Sequence, residues 1–216
     1  MCLLINHLKK VFDNYRLKVR DFEDKKAVII YDSHNTYPEN CVKFDWQNDE
    51  YIIYEVHRSR QIIIAKDTDE KTAIIKLYIF CLRFFAIKIL TPSSVEFLTK
   101  SQEKIQKFYN AGDMNKIKDF IINAFGDMDI SFAENNLEGI SLVKNNNIYF
   151  INVNGYPLYK SNNLCQAYSL TFNVCLKISI LCKMMREKFG LNNCPLSLMN
   201  IYLFGTQFSE NIPRPL

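Results

Sequence analysis

Apolar positions recur every three or four residues over 3–15, at Leu4, Leu8, Val11 and Phe12, which predicts a helix with one buried stripe. Alternating or β-branched runs follow at 17–22, 27–31, 42–46, 51–56 and 61–65, and each predicts a strand. The polar segment Asp45-Trp46-Gln47-Asn48-Asp49-Glu50-Tyr51 places a turn between two of them, and His57-Arg58-Ser59-Arg60 places the next, the cadence of an antiparallel meander. Asp67-Thr68-Asp69-Glu70 then offers capping oxygens to a helix over 71–90, which Thr91-Pro92 stops. Ser93 or Ser94 opens a second helix through 109, and a third runs over 114–125, closed by Gly126.

From there the order repeats. A strand at 140–143, the turn Lys144-Asn145-Asn146-Asn147 and a strand at 148–153 match 44–56 at a constant offset, with Val143 on Trp46 and Ile148 on Tyr51. Asn154-Gly155 is a strong hairpin signal. A strand at 157–159, the cap Lys160-Ser161-Asn162-Asn163 and a helix over 164–189 then mirror 62–65, 67–70 and the helix from Lys71, with Ala167 on Ala73. The fold class read from this pattern is α+β, a tandem repeat of a helix–antiparallel meander–helix unit. The first unit spans 1–110 and the second 111–216, the first carrying an extra segment around 27–40. A short helix near 196–203 and an irregular end close the chain.

Composition changes the picture in three places. The 48% hydrophobic and 23% charged residues are those of a globular chain, and 216 residues suffice for two small cores. A formal charge of +4 with no run of like charges falls short of a dedicated nucleic-acid binder. Seven cysteines, an odd count without a CxxC pair and set among Leu, Ile and Phe, read as reduced buried thiols in a cytoplasmic protein. Met1-Cys2-Leu3-Leu4-Ile5 lacks the basic start of a signal peptide. The apolar stretch 78–90 is too short for a membrane span, and 164–185 carries Gln166, Asn173, Lys177 and Lys183, so both read as buried helices with no membrane role.

Candidate chemistry is sparse. His7, His34 and His57 share no metal-ligand spacing, so neither a metal nor another cofactor is expected. Neither GxSxG nor a phosphate-cradling glycine loop occurs, which removes the common hydrolase and nucleotide-dependent classes. One cluster stands out, Glu55-Val56-His57-Arg58-Ser59-Arg60, where strand alternation puts Tyr51, Ile53, Glu55 and His57 on one face and Ile52, Tyr54 and Val56 on the other. An acid, an imidazole and two guanidiniums suit either an exposed charged hairpin or a weak nuclease-like centre. The matching Asn152-Val153-Asn154-Gly155 has none of these groups. Tyr15-Arg16-Leu17-Lys18-Val19-Arg20 alternates cations along a strand, as a basic edge for nucleic acid or a guarded sheet edge.

The stretch Asp49-Glu50-Tyr51-Ile52-Ile53-Tyr54-Glu55-Val56, then Arg58-Ser59-Arg60, a short strand and Asp67-Thr68-Asp69-Glu70-Lys71-Thr72-Ala73 before a helix resembles bacterial polymorphic-toxin immunity proteins. The resemblance covers 42–90 and, more faintly, 138–189, and departs from the usual pattern at Thr72, where an acid is common, and in occurring twice. It implies a small cytoplasmic protein without catalysis, which binds one cognate toxin domain, of a contact-dependent growth inhibition or related system, one-to-one and blocks its active site. Asp45, Asp49, Glu50, Asp67, Asp69 and Glu70 would offer an acidic patch to that partner. Trp46, Tyr54, Glu55, Arg58 and Arg60 are the expected toxin-binding residues, being hot-spot types or lying on a projecting hairpin. The competing expectation is a nucleic-acid-binding or nuclease-like protein using Glu55, His57, Arg58 and Arg60.

Overall fold

The structure is a computed structural model that describes residues 8–12, 15, 17–22, 27–34, 39–58, 60–87, 89–126, 128–132, 138–191 and 196–204. His7, Ser59 and the end of the chain from 205 lie outside them, as does most of the expected first helix. The fold is α+β, with antiparallel strand pairing dominant. The chain divides into two units, Met1–Ile87 with Phe204–Leu216, and Lys88–Leu203. The boundary at 110/111 expected from sequence thus differs from the division seen, because the helix after Thr91 packs on the long helix of the second unit.

The first unit holds a helical segment α1, described over 8–12, and strands β1 (Leu17–Phe22), β2 (Ala27–Asp32), β3 (Asn40–Gln47), β4 (Glu50–His57) and β5 (Arg60–Asp67). The five strands pair in sequence order, all antiparallel. The segment around 27–40 contributes β2, inserted between β1 and β3. Asn48 and Asp49, both at positive φ, form the two-residue turn between β3 and β4 that matches the twist of the flanking strands. Helix α2 (Glu70–Phe84) follows. Its buried Ala73, Leu77, Tyr78 and Phe80 belong to the same core as Val28, Ile30, Val42, Phe44 and Ile53 from one face of the sheet. Phe12 of α1 meets Tyr78 at a ring separation of 5.6 Å, and the Tyr15 and Tyr78 hydroxyls are hydrogen-bonded at 3.0 Å.

Helix α2 ends at Phe84, short of the expected Leu90. The Ala86 N–H bonds the Arg83 carbonyl and the Ile87 N–H bonds the Leu82 carbonyl, with Ala86 at φ +48. That is the paired closure usually built on a glycine. Here an alanine holds the left-handed position, so no residue type announced the stop.

The second unit contains α3 (Pro92–Asn110), α4 (Met114–Ala124), β6 (Ile130–Ser131), β7 (Ile140–Asn145), β8 (Ile148–Val153), β9 (Tyr156–Ser161), α5 (Leu164–Phe189) and all but the last residue of α6 (Leu196–Phe204). Thr91, rather than Ser93 or Ser94, caps α3, and its hydroxyl accepts from the Ser94 N–H. β7, β8 and β9 form an antiparallel meander, with β6 added parallel to β7. The core gathers on Phe172 of α5, whose ring meets Phe97 of α3, Phe120 of α4 and Phe125 at 5.6, 5.6 and 4.9 Å. α5 is long and apolar enough to cross a membrane by length and composition, and 56% of its most apolar window is buried inside the protein.

Candidate binding site

The β4–β5 hairpin carries the charged cluster. His57 and Arg60 close it as a pair, with Arg58 in the turn at φ +44. Period-two alternation brings Glu55 and His57 to one face, where a Glu55 carboxylate oxygen accepts from His57 Nε2. Pairing of β3 with β4 sets Asn40 opposite His57, and its Oδ1 lies 2.9 Å from His57 Nδ1. The ring of Phe84, at the end of α2, sits 5.5 Å from the imidazole. Both ring nitrogens of His57 are therefore engaged within the unit, between a carboxylate and an amide and beside an aromatic ring. In this arrangement neither ring nitrogen stands open toward a nucleophile.

The neighbouring thiol does not supply one either. Cys41 follows Asn40 and points to the opposite face, and burial raises its thiol pKa. Burial also raises Cys81, and pushes Cys175 up to about 12. Among the described residues, no three His, Cys, Asp or Glu side chains gather into a metal-binding group. His34 pairs with Asp32, in an exposed turn.

Arg58 is different in kind. Its side chain is 86% exposed, its N–H donates to the Glu39 carbonyl at 2.7 Å, and its guanidinium Nε stands 3.6 Å from the Glu39 carboxylate, itself exposed. An arginine at positive φ carries a backbone cost of roughly 1 kcal/mol that asparagine or glycine would largely avoid. Such an exposed ion pair contributes little in return.

The five expected binding residues do not form one patch. Arg58 and Arg60 share the hairpin end with Glu55, which faces the α2 side. Tyr54 lies on the other face of the sheet, with Lys43 Nζ 5.2 Å from its ring centre. Trp46 is opposite Tyr51 at the far end of β4, their rings 4.2 Å apart, about 20 Å along the strand from the hairpin turn. The Tyr51 phenol there is raised by burial and then by the Glu70 and Asp69 carboxylates, which places the start of α2 at that end.

The acidic patch is largely spent on the fold. Asp45 is 4% exposed and accepts from both Lys43 Nζ and Gln47 Nε2 at 2.7 Å. Glu50 pairs with Lys66, Asp67 with Lys76, and Asp69 caps α2. Spacing along the sequence counted six carboxylates without showing the cations set beside them.

Sequence reasoning passed over the edge strand itself. Ile62 and Ile63 on β5 are 40% and 52% exposed. The unbroken Ile62-Ile63-Ile64 run was the available signal, because a strand with one solvated face should alternate. The Lys18 and Arg20 cations of β1 lie exposed on the opposite edge, as in a guarded sheet margin. No protein-family model, curated protein or solved structure matches this chain.

Proposed function

We propose that this chain is an immunity protein that binds a cognate toxin domain one-to-one in the cytoplasm and blocks its active site, without catalysis of its own. The observation that carries the reading is Arg58, a fully projecting guanidinium kept at a strained turn that the fold would build more cheaply with another residue. Strained positions concentrate where a side chain serves a partner, and arginine is a frequent hot-spot residue. Engagement of both His57 nitrogens weighs against the nuclease-like reading, which needs that imidazole open. Arg58 is the anchor in this proposal, Glu55 and Arg60 flank it, and Trp46 and Tyr54 serve mainly to pack the sheet.

We further infer that the two meander–helix segments arose by duplication. Each helix begins with the same device. The Asp69 N–H donates to the Asp67 side chain and the Thr72 N–H to the Asp69 side chain, while the Asn163 N–H donates to Ser161 Oγ and the Gln166 N–H to the Asn163 side chain. Ala73 and Ala167, both buried, bond back to the cap carbonyls. The second pairing in each meander carries one irregularity, at Ile53/Tyr54 and at Ile151/Asn152. The turns Asn48-Asp49 and Asn146-Asn147 fix the correspondence one residue away from that expected, so Lys144 answers Trp46 and Tyr149 answers Tyr51. A one-residue slip exchanges the faces of a strand, which is why the turn and not the apolar run sets the match.

Affinity capture of the tagged chain from its native cells, followed by mass spectrometry and light scattering, tests the neutralising role. The expected product is a stoichiometric polypeptide that is toxic when expressed alone and harmless when co-expressed with this chain. Recovery of nucleic acid in place of that polypeptide, released steeply by salt, would reject the reading.

A further inference from the structure

We infer that β5 pairs antiparallel with the β5 of a second copy of this chain, joining two five-stranded sheets edge to edge about a two-fold axis between Ile63 and Ile64. Among the described residues β5 has a strand neighbour on one side only, β4. Its sequence is Arg60-Gln61-Ile62-Ile63-Ile64-Ala65-Lys66-Asp67. The four central residues are apolar, and two of them, Ile62 and Ile63, are the exposed large hydrophobics of the strand. The other edge of the same sheet carries exposed Lys18 and Arg20, the device by which proteins keep edges from pairing. β5 carries isoleucine where β1 carries cations.

The strand is complementary to itself in one register. Set antiparallel about its centre, Arg60 faces Asp67 of the second copy, Gln61 faces Lys66, Ile62 faces Ala65 and Ile63 faces Ile64. Arg60 at each end comes beside Asp67, which already pairs with Lys76 of its own chain, and apolar side chains meet across the middle. The backbone agrees. A two-residue loop makes His57 and Arg60 the closing hydrogen-bonded pair with β4, so alternation turns the N–H and C=O of Gln61 and Ile63 outward. The irregularity between Ile63 and Ala65 shifts the alternation by one, so Lys66 is the outward residue beyond it. Gln61 and Lys66, opposite one another in this register, therefore both turn backbone groups outward, the Lys66 carbonyl also accepting from Lys76 Nζ of its own chain at 3.5 Å. The two irregularities fall together at the axis. Arg58 lies outside the paired segment, so the dimer leaves the proposed toxin anchor accessible while engaging the flanking Arg60, and it does not depend on that reading.

A single strand pair makes a small interface, so the dimer is expected to be concentration-dependent. Sedimentation velocity on the full chain over a concentration series should show a monomer–dimer equilibrium. The variant Ile63→Lys, checked for an unchanged circular dichroism spectrum, should weaken it about tenfold or more by putting two cations beside the axis. The register is read separately. Ile62→Cys/Ala65→Cys should give a covalent dimer on mild oxidation, because Ile62 faces Ala65 of the other copy in the pair type with the closest Cα atoms. Each single variant and the parent chain should give none. A monomer at every concentration, a dimer indifferent to Ile63→Lys, or a cross-link that forms as readily in the single variants would overturn the inference.

Discussion

The N–H of Arg58 donates to the carbonyl of Glu39 at 2.7 Å across the open end of the β3–β4–β5 meander, where the turn residue stands at φ +44. The same contact sets the exposed guanidinium beside the Glu39 carboxylate. Backbone geometry and side-chain display are thus fixed together at a position where the fold itself gains little from arginine.

Arg58→Asn separates the two roles. Asparagine tolerates the left-handed region and keeps the N–H donor, so chemical denaturation should show stability unchanged or raised by about 0.5–1 kcal/mol. Affinity for the captured partner, measured by calorimetry, should fall by about 2 kcal/mol or more if Arg58 is the anchor. A variant that is more stable and binds equally well would place the interface elsewhere.

Two helix ends make a matched pair. Ala86 after α2 and Gly190 after α5 both sit in the left-handed region, at φ +48 and +67. Ala86→Gly should raise the unfolding free energy by up to about 1 kcal/mol, and Gly190→Ala should lower it by a similar amount. A Cβ at Gly190 meets nothing within 4 Å, so its cost is one of backbone conformation alone. Urea denaturation of both variants beside the parent checks the pair. Equal shifts of the same sign would contradict it.

Where local chemistry decides structure, the chain could be read directly. The limits of α5 follow from the Asn163 cap and Gly190, and the face shared by Glu55 and His57 follows from alternation alone. The end of α2 was hidden because Ala86 stands where glycine is usual. Asn40 was hidden because only the register of β3 against β4 brings it to His57. The ion pairs that consume Asp45 and Asp67 depend on Lys43 beside the first and on Lys76, a helix away, beside the second. Such contacts are tertiary, and spacing does not encode them. The exposed isoleucines of β5 were visible as a run but not as an edge, since strand order is a property of the whole sheet.

Stability should decline in alkali. Burial in α5 pushes the Cys175 thiol from an ordinary 9.0 up to about 12, and burial raises the Cys81 thiol and the Tyr78 phenol in the same direction. Between pH 9 and 12 the unfolded chain releases protons that the folded chain keeps. The contribution is therefore complete below pH 9 and is lost as pH rises toward 12, at up to about 1.4 kcal/mol per pH unit for each such group. Urea midpoints taken from pH 8 upward should fall. Cys175→Ala should start lower, because it opens a cavity, and then descend less steeply. A parent curve flat through this range would mean that these groups are already hydrated in the folded state.

The two meander-following helices should part company in acid. Asp69 caps α2 through its carboxylate, which the Thr72 backbone N–H, then the Thr72 side chain and Lys71, hold below the ordinary carboxylate value. Its contribution is present above the unfolded carboxylate pKa and is lost as pH falls through the lower folded one. Asn163 makes the corresponding bond to the Gln166 N–H with an amide that does not titrate in this range. Asp69→Asn should therefore keep the cap and reduce the loss of stability on acidification, while Asn163→Asp should add acid sensitivity to the second unit. Asn163→Ala should cost about 1 kcal/mol at any pH, since it removes the acceptor outright. Thermal melts from neutral pH down into the carboxylate range read all three. If Asp69→Asn left the acid limb unchanged, the helix cap would not be the source of the sensitivity.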